Sequence, residues 1–262
     1  LGDVYKRQED HDPMVEQAHA QIRELVSNYG KVDILWYDGA WFGDIWRAKE
    51  LNAMVRRLQP GIIINDRSGT PEDFGTPEGE VRAMQRPWEA CICMNNSWGY
   101  RPGERGYKTI PHLIALLAET ASLGGNLLLN VGPDAEGRIP PPAAERLRVI
   151  GAWLRTHGEA IFGTEPFQFH LFHLNLGAVT RKADMVYLIA HHFWPGSTVP
   201  FAWFPHRVIS ARMMSSGQNI RVEQNGDRVW LHDLPEDWPE PHVPVIELTI
   251  EPESNTLTNK ER

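Results

Sequence analysis

Asp38 closes the apolar run Ile34-Leu35-Trp36-Tyr37 and is followed at once by Gly39-Ala40-Trp41. A carboxylate carried to a strand end between aromatic side chains suits a nucleophile or a base in a sugar-sized pocket. The same residue also fits a helix cap or a turn, as the following glycine would allow. Retaining glycoside hydrolysis needs a second carboxyl about 5–5.5 Å away. One group stays ionised and attacks the anomeric carbon, and the other gives its proton to the leaving oxygen. Glu72, Asp73, Glu78 and Glu80 lie in the polar stretch after Arg67, and Glu89 follows Trp88 on the next apolar run. A loop acid can approach the glycosidic oxygen from the side, and burial under a substrate raises its pKa. Each loop acid also reads as a solvated charge. Arg67 can fork onto sugar hydroxyls, hold Asp38 ionised, or form a structural pair with Asp66. Trp98, in Ser97-Trp98-Gly99-Tyr100, suits either the apolar face of a sugar or the core.

Other chemistries find less support. Gly124-Gly125-Asn126 lacks the Lys-Ser/Thr of a phosphate loop. His191 and His192 alternate on a strand and point to opposite faces, while His11 and His19 lack the zincin spacing. No serine occupies a nucleophile elbow. Cys91 and Cys93, the two cysteines, sit at i, i+2 on a strand, which is poor geometry for a mutual disulfide. They read as small buried hydrophobes and leave the compartment undecided. The net charge of −8 argues against nucleic acid or an anionic membrane as partner. No apolar run approaches the roughly 20 residues of a membrane-crossing helix. Ten tryptophans fit sugar-stacking surfaces or a bulky core.

The elements that must position these residues alternate. Residues 1–8 have no clear period and read as a non-native scar. A helix is expected from an Asp12 cap and Pro13, with Met14, Ala18, Ile22, Leu25 and Tyr29 as its apolar stripe. A strand from Val32 to Tyr37 follows, then a helix from about Asp44 to Leu58, then the strand Ile62–Ile64. Residues 68–86 form a long polar loop of the kind that carries function. Trp88–Met94 is the next strand. A helix over 111–123, a strand over Leu127–Leu129 and a helix over Pro142–His157 complete the pattern. Apolar strands alternating with helices predict a parallel sheet buried on both faces, with polar strand ends forming an active-site face. Four or five strands make part of a (β/α)8-type barrel, not a closed one. From Pro166 the period changes to short strands between turns, which predicts an antiparallel β-sandwich over 166–262 with a frayed tail from Glu253. The α/β barrel part spans 9–165.

Several segments together resemble the α-L-fucosidases of glycoside hydrolase family 29. They are Leu35-Trp36-Tyr37-Asp38-Gly39, Ile64-Asn65-Asp66-Arg67, Thr76-Pro77-Glu78, Arg86-Pro87-Trp88-Glu89-Ala90-Cys91, Asn96-Ser97-Trp98-Gly99-Tyr100, the run Gly124 to Pro133, and Gly158 to Thr164. They occur in family order from about residue 13 to 166. The resemblance implies a retaining exo-hydrolase that releases terminal L-fucose from a fucosylated glycan, without metal or organic cofactor. It makes Asp38 the nucleophile and puts Glu78 first as acid/base, with Glu80 and Glu89 as fallbacks. It gives Arg67 a contact to fucose or the nucleophile, and lines the sugar pocket with Trp36 and Trp98. In the family further strands precede the nucleophile strand, whereas one helix precedes Asp38 here. The expectation is therefore an N-terminally truncated and inactive piece. A non-catalytic carbohydrate-binding relative and another retaining glycosidase on the same barrel are the competing readings. Oligomeric state and localisation are not legible.

Overall fold

A computed structural model describes residues 8–39, 45–167, 177–191, 196–236 and 242–252, with side chains from Asp12 onward. The expected scar up to residue 7, the Asp44 helix start, the His11 side chain, His192 and the tail from Glu253 lie outside them. The chain divides into two compact units, residues 1–78 with 84–90, and residues 79–83 with 91–262.

In the first unit, helix α1 (Gln8–Asn28) begins before the expected Asp12 cap and carries Pro13 inside it. Proline near a helix start forfeits one intrahelical bond and is tolerated there better than further in. The buried face of α1 is Val15, Ile22 and Val26, whereas Met14, Leu25 and Tyr29 are exposed. The expected stripe was thus right at Ile22 and rotated elsewhere. Helix α2 (Ala48–Leu58) buries Leu51, Met54 and Val55. Its first turn follows Arg47 in the left-handed region, tied by an ion pair to Glu16 at 2.6 Å. Beyond its last turn, the Gln59 amide donates to the Val26 and Gly30 carbonyls, which locks the end of α2 to the end of α1.

Strands β1 (Ile34–Leu35) and β2 (Ile63–Ile64) pair in parallel, Ile34 opposite Ile63 and Leu35 opposite Ile64. They are shorter than expected. Ile64 and Tyr37 join the core with α1 and α2, but Ile34 and Ile63 are exposed. Burial on both faces therefore fails for this pair among the described residues. The polar stretch after β2 is not a free loop throughout. Phe74 bridges Asn65 in parallel, and Gly75 bridges Trp88 in the same sense.

The boundary between the units falls inside β3 (Glu89–Cys93). The second unit continues with α3 (Ile110–Ser122), β4 (Asn126–Asn130) and α4 (Pro141–His157). Thr109 caps α3 through the His112 N–H, and Pro111 stands in its first turn, as the sequence suggested. β3 pairs with β4, so that among the described residues β1 to β4 form two pairs, not a continuous barrel wall. Cys91 is buried and Cys93 half-buried, and neither is in a disulfide.

Eight further strands follow: β5 (Glu165–Pro166), β6 (Gly177–Lys182), β7 (Met185–Ala190), β8 (Val199–Phe201), β9 (Val208–Met213), β10 (Asn219–Asn225), β11 (Arg228–His232) and β12 (Val245–Ile250). They make one sheet in the order β5-β6-β7-β12-β9-β10-β11-β8, antiparallel throughout. An antiparallel β-sandwich was expected; the described strands are antiparallel and form one continuous sheet. β9 and β10 share two residue pairs. Phe167 beyond one edge strand meets Phe204 beyond the other at 5.6 Å between ring centroids, so the two halves face each other across one core. Alternation decides the faces. Val186, Leu188, Ile246 and Leu248 fill that inner core, while Tyr187, Ile189 and Val245 pack on Leu113, Ile114, Ile150 and Trp153 of α3 and α4.

Candidate active site

The site grows from the end of β1. Asn65, wholly buried at the end of β2, turns both ends of its amide to Tyr37. Its Oδ1 accepts from the Tyr37 N–H and its Nδ2 donates to the Tyr37 carbonyl, each at 2.9 Å. The Tyr37 hydroxyl donates to Asn52 Oδ1 at 2.8 Å on α2. Burial, and then the nearby Glu72 charge, push the Tyr37 phenol well above its usual range. It therefore stays a neutral donor. These contacts fix the residue between Trp36 and Asp38, so both flanking side chains leave a rigid backbone.

Arg67 lies in a short 3-10 turn (Asp66–Ser68) directly after β2. Its Nη1 is 2.9 Å from Asp38 Oδ1, and its Nη2 is 2.8 Å from Glu78 Oε2. Its Nε donates to Thr76 Oγ1 at 2.9 Å. The plane sits over Trp36, with Cζ 5.5 Å from the ring centroid, and Trp36 leans on Phe74 at 5.7 Å. Thr76 in turn donates to Asp66 Oδ1, whose other oxygen accepts from Arg86 at 2.7 Å. The Arg67 side chain is 17% exposed, while the Asp38 and Glu78 side chains are 80% and 46% exposed. A mostly buried arginine thus presents two carboxylates to the outside. The expected alternative of an Arg67–Asp66 pair is not what forms; Asp66 goes to Thr76 and Arg86 instead.

The other sequence candidates fall elsewhere. Glu80 is exposed and paired with Arg82 at 2.8 Å. Glu72 belongs to a network with Arg56, Thr70 and Asn52, and Asp73 accepts from Arg56 and from the Ile64 N–H. Glu89 is half-buried at the start of β3, and burial raises its carboxyl above the usual range. Trp98 belongs to the second unit, is 46% exposed, and accepts through its carbonyl from the Asn130 amide at 2.8 Å. Sequence reasoning assigned no role to Asn65, Thr76 or Arg86. A buried amide at the end of an apolar strand was the available signal for the first. Among the described residues no cluster of three or more His, Cys, Asp or Glu side chains could hold a metal ion, and no helix is long and apolar enough to cross a membrane.

Two carboxylates on one guanidinium beside an aromatic wall are the equipment of a glycoside hydrolase. The α-L-fucosidase family model matches residues 2–159, more than half of the chain, and the chain belongs to that family. It is similar to the plasma α-L-fucosidase of Homo sapiens, 32% identical over 262 residues covering 86% of this chain and 54% of the relative. The α-L-fucosidase of Branchiostoma floridae is 34% identical over 198 residues, covering 68% of this chain and 43% of the relative. Among solved structures, α-L-fucosidase isoenzyme 1 from Paenibacillus thiaminolyticus superposes with a TM-score of 0.83 at 31% identity, covering 95% of this chain and 65% of that one. The chain spans about half the length of the curated relatives it matches.

Proposed function

We propose that the protein is an exo-acting α-L-fucosidase that removes terminal L-fucose from a fucosylated glycan with retention of configuration. The observation that carries this reading is Arg67 bridging Asp38 and Glu78. In the first step Asp38 attacks the anomeric carbon while Glu78 gives its proton to the departing oxygen. In the second, Glu78 takes a proton from water as that water displaces Asp38 and restores the carboxylate. Arg67 ties the two carboxylates to one cation, and the family resemblance assigns sugar contacts to Trp36 and Trp98. Glu80 and Glu89 remain the fallback acids. On this reading residues 9–165 are the C-terminal part of a (β/α)8-type barrel and residues 166–262 a β-sandwich domain, supported by the Paenibacillus superposition.

The test is hydrolysis of an aryl α-L-fucoside, with the first-formed anomer followed by NMR. Release of α-L-fucose, lost in Asp38→Asn, is expected. Turnover of an aryl galactoside alone would assign a different retaining glycosidase. Fucose binding without turnover in any form of the protein would assign a non-catalytic binding relative.

A further inference from the structure

The second unit holds a cleft that the reaction above does not use. It measures about 630 Å³ and is lined along the connection from β8 to β9 and by β10 and the β10–β11 turn. That volume lies within the about 300–1,000 Å³ of small-molecule sites. Its frame is braced. The Gln224 side chain accepts from the Val208 N–H at 2.8 Å and donates to the His206 and Gly226 carbonyls at 2.9 and 3.1 Å. The Phe204 N–H donates to the Asp227 carbonyl, and the Glu251 N–H to the Arg207 carbonyl. Both walls are therefore held by their backbones.

The side chains on that frame are not consumed by it. Arg207 and Asp227 are exposed, and neither makes a side-chain hydrogen bond or ion pair among the described residues. Ile209, 58% exposed, adds an apolar edge. The same connection also carries Trp203, outside the cleft's lining, 49% exposed and at φ 58°. A bulky non-glycine residue in the left-handed region is uncommon and carries strain of the kind that gathers at ligand sites. An anion would meet Asp227 and a cation would meet Arg207. A neutral polyol satisfies both, with hydroxyls to the fork and to the carboxylate and its C–H face on the apolar edge.

We propose that this cleft is a second carbohydrate site that holds a neutral glycan on the sheet domain, away from Asp38 in sequence and in chemistry. The choice of glycan rests on the fucosidase reading; the site itself rests on the cleft. A second weak site would raise the residence of a glycan on the protein by effective concentration, without adding to the chemistry.

The test is titration of the full chain with the S-linked thioglycoside analogue of 2′-fucosyllactose, which resists glycosidase cleavage, followed by backbone amide NMR. Shifts at Arg207, Ile209, Gly226 and Asp227 are expected at millimolar sugar. Arg207→Ala and Asp227→Ala should each weaken that binding about tenfold, a loss of about 1.4 kcal/mol, with an unchanged thermal midpoint. Asp38→Asn should leave it intact. Absence of shifts at these amides, or shifts that survive both variants, would overturn the proposal. Binding lost in Asp38→Asn but kept in Arg207→Ala would overturn it too, while leaving the fucosidase reading standing.

Discussion

Asn65 clamps Tyr37: one buried amide satisfies both the N–H and the carbonyl of the residue that precedes Asp38. A side chain that replaces two ladder bonds does what a longer β1–β2 pairing would do, with the geometry fixed more tightly. Removing it in Asn65→Ala takes both of these bonds from buried backbone groups. A buried group left without its partner costs about 1–3 kcal/mol. A lower urea midpoint at unchanged slope is the expected result. An unchanged midpoint would mean that water or a shifted backbone satisfies Tyr37.

Arg67 is a different kind of residue, because what it holds is exposed. Asp38 and Glu78 face outward, so Arg67→Met should change stability little. Activity toward an aryl α-L-fucoside should fall about 10²–10³-fold, the usual loss when one electrostatic partner is removed from a site. Arg67→Lys should recover little of it. An ammonium is a point charge and cannot fork between two carboxylates while also reaching Thr76. A full recovery would show that charge alone matters.

Glu72 and Glu89 should respond to acid in opposite senses. Burial by itself would raise Glu72, but hydrogen bonds from Arg56, Thr70 and Asn52 outweigh it and the carboxyl is lowered. Its contribution is present above the ordinary carboxylate value of about 4.3 and is lost as pH falls through the lower folded value. Glu72→Gln should therefore destabilise at pH 7, by about 1–3 kcal/mol, and the difference should close as pH falls through the lowered folded value. Glu89 is raised by burial. Its ionised form opposes folding, so the stability it withholds returns as pH falls from the raised folded value through about 4.3. Glu89→Gln should gain stability at neutral pH relative to acid, which paired denaturation curves would show.

The same two-variant logic separates the acid/base candidates. Glu78→Gln should slow substrates with poor leaving groups far more than activated aryl fucosides, because only the former need protonation. Glu89→Gln should keep both. The reverse pattern would move the acid/base role to β3.

Legibility in the sequence followed the range of the interactions. Asp38 and Arg67 could be singled out as candidates because each ends a short apolar run, where side chains escape the sheet, whereas Trp36 entered only through the family resemblance. Glu78 could not be chosen over Glu80 from spacing, since what distinguishes them is the partner: Arg67 for one, Arg82 for the other. Asn65 was within a quoted motif, yet its role depends on a partner 28 residues away in sequence. The α1 stripe went astray because Met14, Leu25 and Tyr29 fit the helical period, whereas Ile22 and Val26 are the α1 residues that pack in one core with α2. The continuity of the antiparallel strands in one sheet passes through the β9–β10 junction, where two residue pairs are shared. Alternation along a strand is blind to that.

Gly132 gives a last test, on the strand end that supports Trp98. A Cβ built there would lie 2.5 Å from the Gly99 carbonyl carbon and 2.6 Å from the Tyr100 nitrogen. Both are backbone atoms, so neither can rotate away. On the same strand end the Asn130 amide holds the Trp98 carbonyl at 2.8 Å. One residue draws the 98–100 segment in and the other makes room for it. Gly132→Ala must push that segment off, at a cost of about 1–3 kcal/mol for overpacking. Loss of hydrogen-exchange protection around Trp98 to Tyr100 is expected, with the sheet core unaffected. If Trp98 lines the fucose pocket, the variant should raise KM for an aryl fucoside more than it lowers kcat, because the displaced side chain binds sugar and takes no part in proton transfer. An unchanged KM alongside a displaced segment would remove Trp98 from the pocket.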